Sequence, residues 1–242
     1  MLIAPQNSLV VDALSANLLA LRQEIAAAAR AGHRTEDCVT LIAVSKGCEA
    51  GVVRAAAGLG LKHLGESYLQ EALPKIGQLG GLGLTWHFIG RVQANKTRAI
   101  AEHFDWVHAI DRLRVAERLS AQRPHYAPAL QACLQVNIDH EAAKGGVAPE
   151  DTEALAQAVQ ALPRLRLRGL MCILPGGRSA QANCQSFAAL RSLLQRLNAH
   201  GLALDTLSMG MSGDFREAII EGATQVRIGT ALFGPRNVTP LG

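Results

Sequence analysis

Eight short apolar stretches recur along the chain, most of them followed by a segment with helical spacing. This alternation restricts the fold more than any other feature of the sequence. Strand-like runs occupy 39–45, 61–65, 84–90, 106–110, 129–138, 165–171, 206–209 and 225–229. Helical spacing covers 49–57, 67–78, 95–102, 113–122, 149–161, 180–199 and 214–221. In 180–199, Phe187, Leu190, Leu194 and Leu197 line one face. Strands alternating with helices build parallel βα units. Eight units close into a TIM-type (βα)8 barrel, typically ~250 residues long, and the chain has 242. The expected fold is therefore a single α/β barrel. An open doubly wound sheet has the same count and remains the alternative. Leu165-Arg-Leu-Arg168 alternates like a half-solvated strand, which is unusual in a sheet covered by helices on the outside. Ahead of the first strand, 8–30 places Leu14, Leu18, Leu21 and Ile25 on one stripe, the signature of an extra helix packed on the barrel. No linker or repeat divides 1–242, so one domain is expected.

Hydrophobic residues make up 49% of the chain and charged residues 18%, enough apolar material for a large core. Net charge is +4, with 19 arginines against 5 lysines. The basic residues form no run, and only two Trp and two Tyr are present to stack on bases, which argues against a nucleic-acid surface. Cys38, Cys48, Cys133, Cys172 and Cys184 form no CxxC pair and no metal-like spacing with histidine. They read as reduced thiols of a cytoplasmic protein. No metal site is expected. Residues 1–7 lack the pattern of a signal peptide, and no apolar stretch approaches the ~20 residues that cross a bilayer.

Candidate chemistry concentrates at strand ends, where barrels of this type carry their active face. Lys46 closes the first strand. Apolar neighbours there would disfavour its charged form and favour imine formation; a lysine that merely caps the strand and reaches solvent fits the position equally well. Ser208-Met-Gly-Met-Ser212 follows the seventh strand, and Gly229-Thr230 closes the eighth. Backbone N–H groups of such turns can converge on an anion, and the loops after strands 7 and 8 are common phosphate sites. Ordinary turn chemistry, with Asp214 and Glu217 as a helix-capping pair, is the competing reading. Arg227, inside the last strand, needs a buried acceptor such as a pyridine nitrogen or a carboxylate. His87 reads as a proton-transfer group or, more simply, a hydrogen-bonded core residue. Lys96 reads as a phosphate contact or a solvated side chain. Cys48 and Cys172 read as packing.

Several longer stretches resemble the pyridoxal phosphate homeostasis protein family, whose barrel is similar to the N-terminal domain of alanine racemase. They are Ala43-Val-Ser-Lys46, His63-Leu-Gly-Glu-Ser-Tyr68, Trp86-His-Phe-Ile-Gly-Arg-Val-Gln-Ala-Asn-Lys96, Asn137-Ile-Asp-His-Glu-Ala-Ala-Lys144, Leu207-Ser-Met-Gly-Met-Ser212 and Val226-Arg-Ile-Gly-Thr230. The resemblance implies pyridoxal 5'-phosphate as cofactor, with Lys46 as its Schiff-base lysine. It implies phosphate contacts from Ser208, Gly229 and Thr230, with backbone from Met209 and Gly210, and Arg227 facing the pyridine nitrogen. Ser67 stands among the cofactor positions where the family usually has asparagine, and its hydroxyl has less reach. An arginine stays protonated and donates, so the ring nitrogen it faces carries no proton and the ring is a poor electron sink. Alanine racemase also relies on a tyrosine from another domain, and no such domain is expected here. The resemblance thus implies a carrier of pyridoxal phosphate acting in cofactor homeostasis, as a monomer, with PLP-dependent apoenzymes as partners and racemase activity at most weak. A racemase proper and a cofactor-free class I aldolase using Lys46 are the other readings.

Overall fold

In a computed structural model, which describes residues 5–141 and 144–235 with side chains from Val11 onward, the apolar runs pair into a closed parallel barrel. Met1–Ala4 and the Ala142-Ala143 pair within the 137–144 stretch lie outside the described residues. The strands are β1 Thr40–Val44, β2 His63–Glu66, β3 Thr85–Phe88, β4 Trp106–Ile110, β5 Leu130–Gln135, β6 Leu165–Met171, β7 Thr206–Ser208 and β8 Gln225–Ile228. Each pairs with its neighbour in sequence, and β8 returns to β1 with Arg227 opposite Ile42. That last pairing removes the open sheet as an alternative.

The helices form the outer layer: α1 Pro5–Ala31, α2 Ala50–Gly58, α3 Leu69–Gln78, α4 Thr97–His103, α5 Leu113–Gln122, α6 Thr152–Gln160, α7 Ala180–Ala199, α8 Phe215–Ile220 and α9 Thr230–Phe233. The expected extra helix is α1. It buries Leu14, Leu18, Leu21 and Ile25, one residue from each successive turn, against α2, α8 and α9. Asn17 donates to the Leu232 carbonyl at 3.0 Å, and just beyond α1 Arg34 reaches the carbonyls of Ile219 and Ala223. The helix therefore straps the seam where β8 meets β1. The short α9 was not expected, because four residues leave no periodicity to read.

Strand β6 is not half-solvated along its length. Leu165 and Leu167 are buried, and from Gly169 to Met171 every residue is buried. Only its first turns of alternation reach the N-terminal end of the barrel, where Arg168 lies 5.1 Å over the Trp106 ring and pairs with Asp205. At Gly169 a Cβ would fall 1.8 Å from the Thr206 carbonyl oxygen, so only glycine allows β6 and β7 this approach.

Inside the barrel the packing departs from the usual filling of branched apolar side chains. His87, His108, Ser208 and Arg227 are all buried there. Polar groups out of water must be hydrogen-bonded, and these are bonded to one another.

Candidate functional site

At the C-terminal ends of the strands a cavity of about 290 Å³ gathers Lys46 just past β1, Ser67 just past β2, Arg227 in β8, and Gly229 and Thr230 after it. Val44, Ile89 and Ile173 supply apolar wall. Met211, Ser212 and Gly213 complete the lining. Larger clefts lie outside this mouth. One of about 570 Å³ runs between α2 and α3, and one of about 520 Å³ opens at the other end of the barrel beside Arg22 and His63.

The backbone on both sides of Lys46 is anchored. The Ser45 hydroxyl donates to Glu66 Oε1 at 2.7 Å, and the Gly47 N–H donates to Glu71 at 2.8 Å. Lys75, a buried lysine on α3, donates to Glu66 Oε1 at 2.6 Å and to the Ser45 carbonyl at 2.8 Å. Burial pushes the Glu66 carboxyl up, while Lys75 and the Ser45 hydroxyl work in the opposite direction. The cluster fixes the end of β1, and with it the point from which the Lys46 side chain departs. Nothing in the sequence singled out Glu66, Lys75 and Ser45. The signal was present only as parity, since Glu66 and Ser45 each precede a cavity residue.

Arg227 is held as firmly. Its Nη1 donates to Ser208 Oγ at 2.7 Å and its Nη2 to the Cys172 carbonyl at 2.8 Å. Burial lowers its pKa, with Asp214 opposing the shift, yet the guanidinium stays charged at neutral pH. The Cys172 thiol is pushed up to about 12 by burial and packs as an inert group.

Three further residues expected at the phosphate, Ser208, Met209 and Gly210, are not among those that line this cavity. Ser208 is fully buried beneath the cavity, its hydroxyl bonded to Arg227 and to His108 Nδ1. Met209 is buried as well. The Gly210 carbonyl accepts from the Arg227 backbone, and with φ at +93° a Cβ there would meet Ala218 at 2.6 Å. The reason is register: β7 is three residues long and ends at Ser208, which pairs with Gln225 and points inward. The same turn reaches the cavity three residues later, through Met211, Ser212 and Gly213. Asp214 does not cap α8 with its side chain. Its carboxylate accepts instead from the Met211 N–H at 2.6 Å and tightens the turn. Lys96 lies in a short 3-10 turn, Ala94–Lys96, away from the cavity lining.

His87 is a core residue. Its Nδ1 lies 2.9 Å from His108 Nε2 and its Nε2 lies 3.0 Å from His63 Nδ1. Burial drives its pKa well below the ordinary value, and drives that of His108 to about 3. Among the described residues no cluster of His, Cys, Asp or Glu is arranged to hold a metal ion, and no helix is long and apolar enough to cross a membrane.

The donor set has a definite chemistry. An amine shares one cavity with a fixed cation, hydroxyls and small-residue backbone. This suits a carbonyl compound that carries a hydrogen-bond acceptor within its body and an anionic tail. The class so defined is a parallel (βα)8 barrel with an amine and an arginine at its C-terminal mouth. The model of the alanine racemase N-terminal domain matches residues 11–237. The pyridoxal phosphate homeostasis protein of Pseudomonas aeruginosa is 55% identical over 227 residues, covering 94% of this chain and 97% of that one. The protein of the same name from Escherichia coli is 45% identical over 232 residues, covering 91% and 96%. Among solved structures, PipY of Synechococcus elongatus with PLP bound superposes with a TM-score of 0.80 at 37% identity, covering 91% of this chain and all of that one. The chain belongs to the pyridoxal phosphate homeostasis protein family.

Proposed function

We propose that this protein binds pyridoxal 5'-phosphate at the C-terminal mouth of the barrel, holds it as a Schiff base on Lys46, and acts as a cytoplasmic carrier in cofactor homeostasis. The observation that carries the proposal is the convergence of Lys46, Ser67, Arg227, Gly229 and Thr230 on one cavity. The relatives named for this homeostasis and the PLP-bound neighbour support it. Lys46 would hold the cofactor through its aldehyde carbon, and the bound group would supply an electrophilic centre for amines. Thr230, Gly229 and the 211–213 turn provide hydroxyl and N–H donors for the phosphate. Ser208, Met209 and Gly210 support that wall from behind.

Arg227 would face the ring nitrogen and donate to it. Bound pyridoxal phosphate supplies carbanion stabilisation only as far as its ring nitrogen is protonated, and a guanidinium donor keeps that proton away. The site therefore favours storage over turnover.

Borohydride reduction followed by peptide mass spectrometry tests the proposal. A single phosphopyridoxyl adduct on Lys46, absent from Lys46→Ala, is the expected outcome; an adduct elsewhere, or none, defeats it. Incubation with single enantiomers of small amino acids in deuterated water separates carrier from racemase. Fast α-proton exchange with turnover would remove the carrier reading, whereas cofactor transfer to an apoenzyme supports it.

A further inference from the structure

Arg227 ends a continuous hydrogen-bonded chain that runs through the barrel interior. From Arg227 it passes to Ser208 Oγ at 2.7 Å, from Ser208 to His108 Nδ1 at 2.8 Å, from His108 Nε2 to His87 Nδ1 at 2.9 Å, and from His87 Nε2 to His63 Nδ1 at 3.0 Å. Its two ends line different cavities. Arg227 lines the C-terminal cavity, and His63 lines the cleft of about 520 Å³ at the N-terminal end. Four strands, β2, β3, β4 and β7, contribute one link each before β8 supplies the arginine.

Donor counting orients the whole chain. A guanidinium only donates, so Ser208 Oγ accepts from Arg227. The single Ser208 proton then goes to His108 Nδ1, which must be bare. His108 accordingly carries its proton on Nε2 and donates to His87 Nδ1. By the same argument His87 carries its proton on Nε2 and donates to His63 Nδ1, leaving the His63 proton on its own Nε2. The alternation of ring nitrogens in the three histidine contacts is consistent with this single direction. Reversing it would make Ser208 accept twice and leave its own proton without an acceptor in a dry interior. Burial, together with the neighbouring charge of Arg227 at His108, keeps the rings neutral. Trp106 stacks on His87 with centroids 5.5 Å apart and planes at 15°, so the middle ring cannot rotate without losing that contact.

We propose that His63, His87 and His108 form a tautomer-locked positioning relay that holds Arg227 through Ser208 and couples the N-terminal end of the barrel to the cofactor cavity. None of the three histidines lines that cavity. They act through Ser208, whose oxygen accepts from Arg227 while its proton is fixed on His108 Nδ1. The binding consequence of the relay rests on the function proposed above; the tautomer assignment does not.

Two measurements test it. In cofactor-free wild-type protein labelled with 15N-histidine, two-bond 1H–15N correlation spectra should show three neutral rings with bare Nδ1 and protonated Nε2. Predominant Nδ1–H tautomers at His87 or His108 would overturn the assignment. Ser208→Ala removes the donor at His108 Nδ1, and the expected result is a changed tautomer signature at His108, His87 and His63. A change confined to His108 would overturn the coupling. Because wild type alone decides the tautomers, a poorly folding variant leaves the proposal exposed to test. For binding, His63→Phe at the half-buried end should raise the dissociation constant for pyridoxal phosphate by about tenfold, the equivalent of one charge-assisted hydrogen bond at the far end. His63→Gln, whose side-chain amide can accept from His87, should recover most of that loss. Equal affinity in wild type and His63→Phe would overturn the coupling to the cavity. Complete failure of the wild type to take up the cofactor would instead defeat the proposed function and leave the tautomer result standing.

Discussion

Arg227 is buried among neutral partners, so its cost of removal lies in what it leaves behind. Arg227→Ala removes the donor to the Ser208 oxygen, which keeps its bond to His108, and the donor to the Cys172 carbonyl. Each buried acceptor so deprived costs about 1–3 kcal/mol, and urea unfolding should register the loss even without cofactor. The buried histidines predict a second effect. An unfolded histidine titrates near 6.5, whereas folded His108 is held at about 3 and His87 well below 6.5, both chiefly by burial. Below pH 6.5 the unfolded chain binds more protons than the folded one. Stability is therefore full above 6.5 and falls as pH drops toward 3, by about 1.4 kcal/mol per pH unit for each ring that stays neutral. Glu66, pushed up by burial, works in the opposite sense, its contribution fading as pH rises above 4.5. Chemical denaturation at a series of pH values should show the histidine slope, and His108→Gln should flatten it.

Elements meet here at glycine. The loop after β3 passes the backbone beyond β2 so closely that a Cβ on Gly90 would lie 2.3 Å from the Ser67 carbonyl oxygen. Ser67 lines the cavity, so Gly90→Ala should both destabilise the fold, by about 3 kcal/mol or more, and disturb cofactor binding. Thermal melts of the apo protein and binding titrations read the two effects separately. Leu18 belongs to the stripe that fastens α1 to the barrel and is 3% exposed. Leu18→Ala should cost about 2–5 kcal/mol with little change in the tautomers of the histidine relay, which α1 does not contribute to. Element order and nearly every element position could be read from periodicity, because apolar runs and helical stripes are local. Ser208 could not be placed, because the phase of a three-residue strand follows from its pairing with β8 and leaves no local trace.

Closure of the barrel assembles the candidate site. With β8 paired to β1, Arg227 and Lys46 from opposite ends of the chain share one cavity. A ligand held across that seam should stabilise the whole barrel by mass action. At a hundredfold excess over its dissociation constant, pyridoxal phosphate should add about 2.7 kcal/mol, seen as a rise of roughly 5–10 °C in Tm. Lys46→Ala should lose much of that rise under the same ligand concentration, and a rise of equal size would argue against the covalent bond.

The order of strands and helices, the apolar stripe of α1 and the residues at strand ends were all written in local pattern, since burial on one face imposes its period on the chain whatever the partner. Lys46, Arg227, Gly229 and Thr230 were singled out this way, Ser67 only through the family resemblance, and all five line one cavity. Which hydroxyls face the cavity, which carboxylate steadies β1, and how three histidines reach from one end of the barrel to Arg227 depended on distant strands coming into register. Those contacts join residues that no period connects, and they exist only once the barrel is closed.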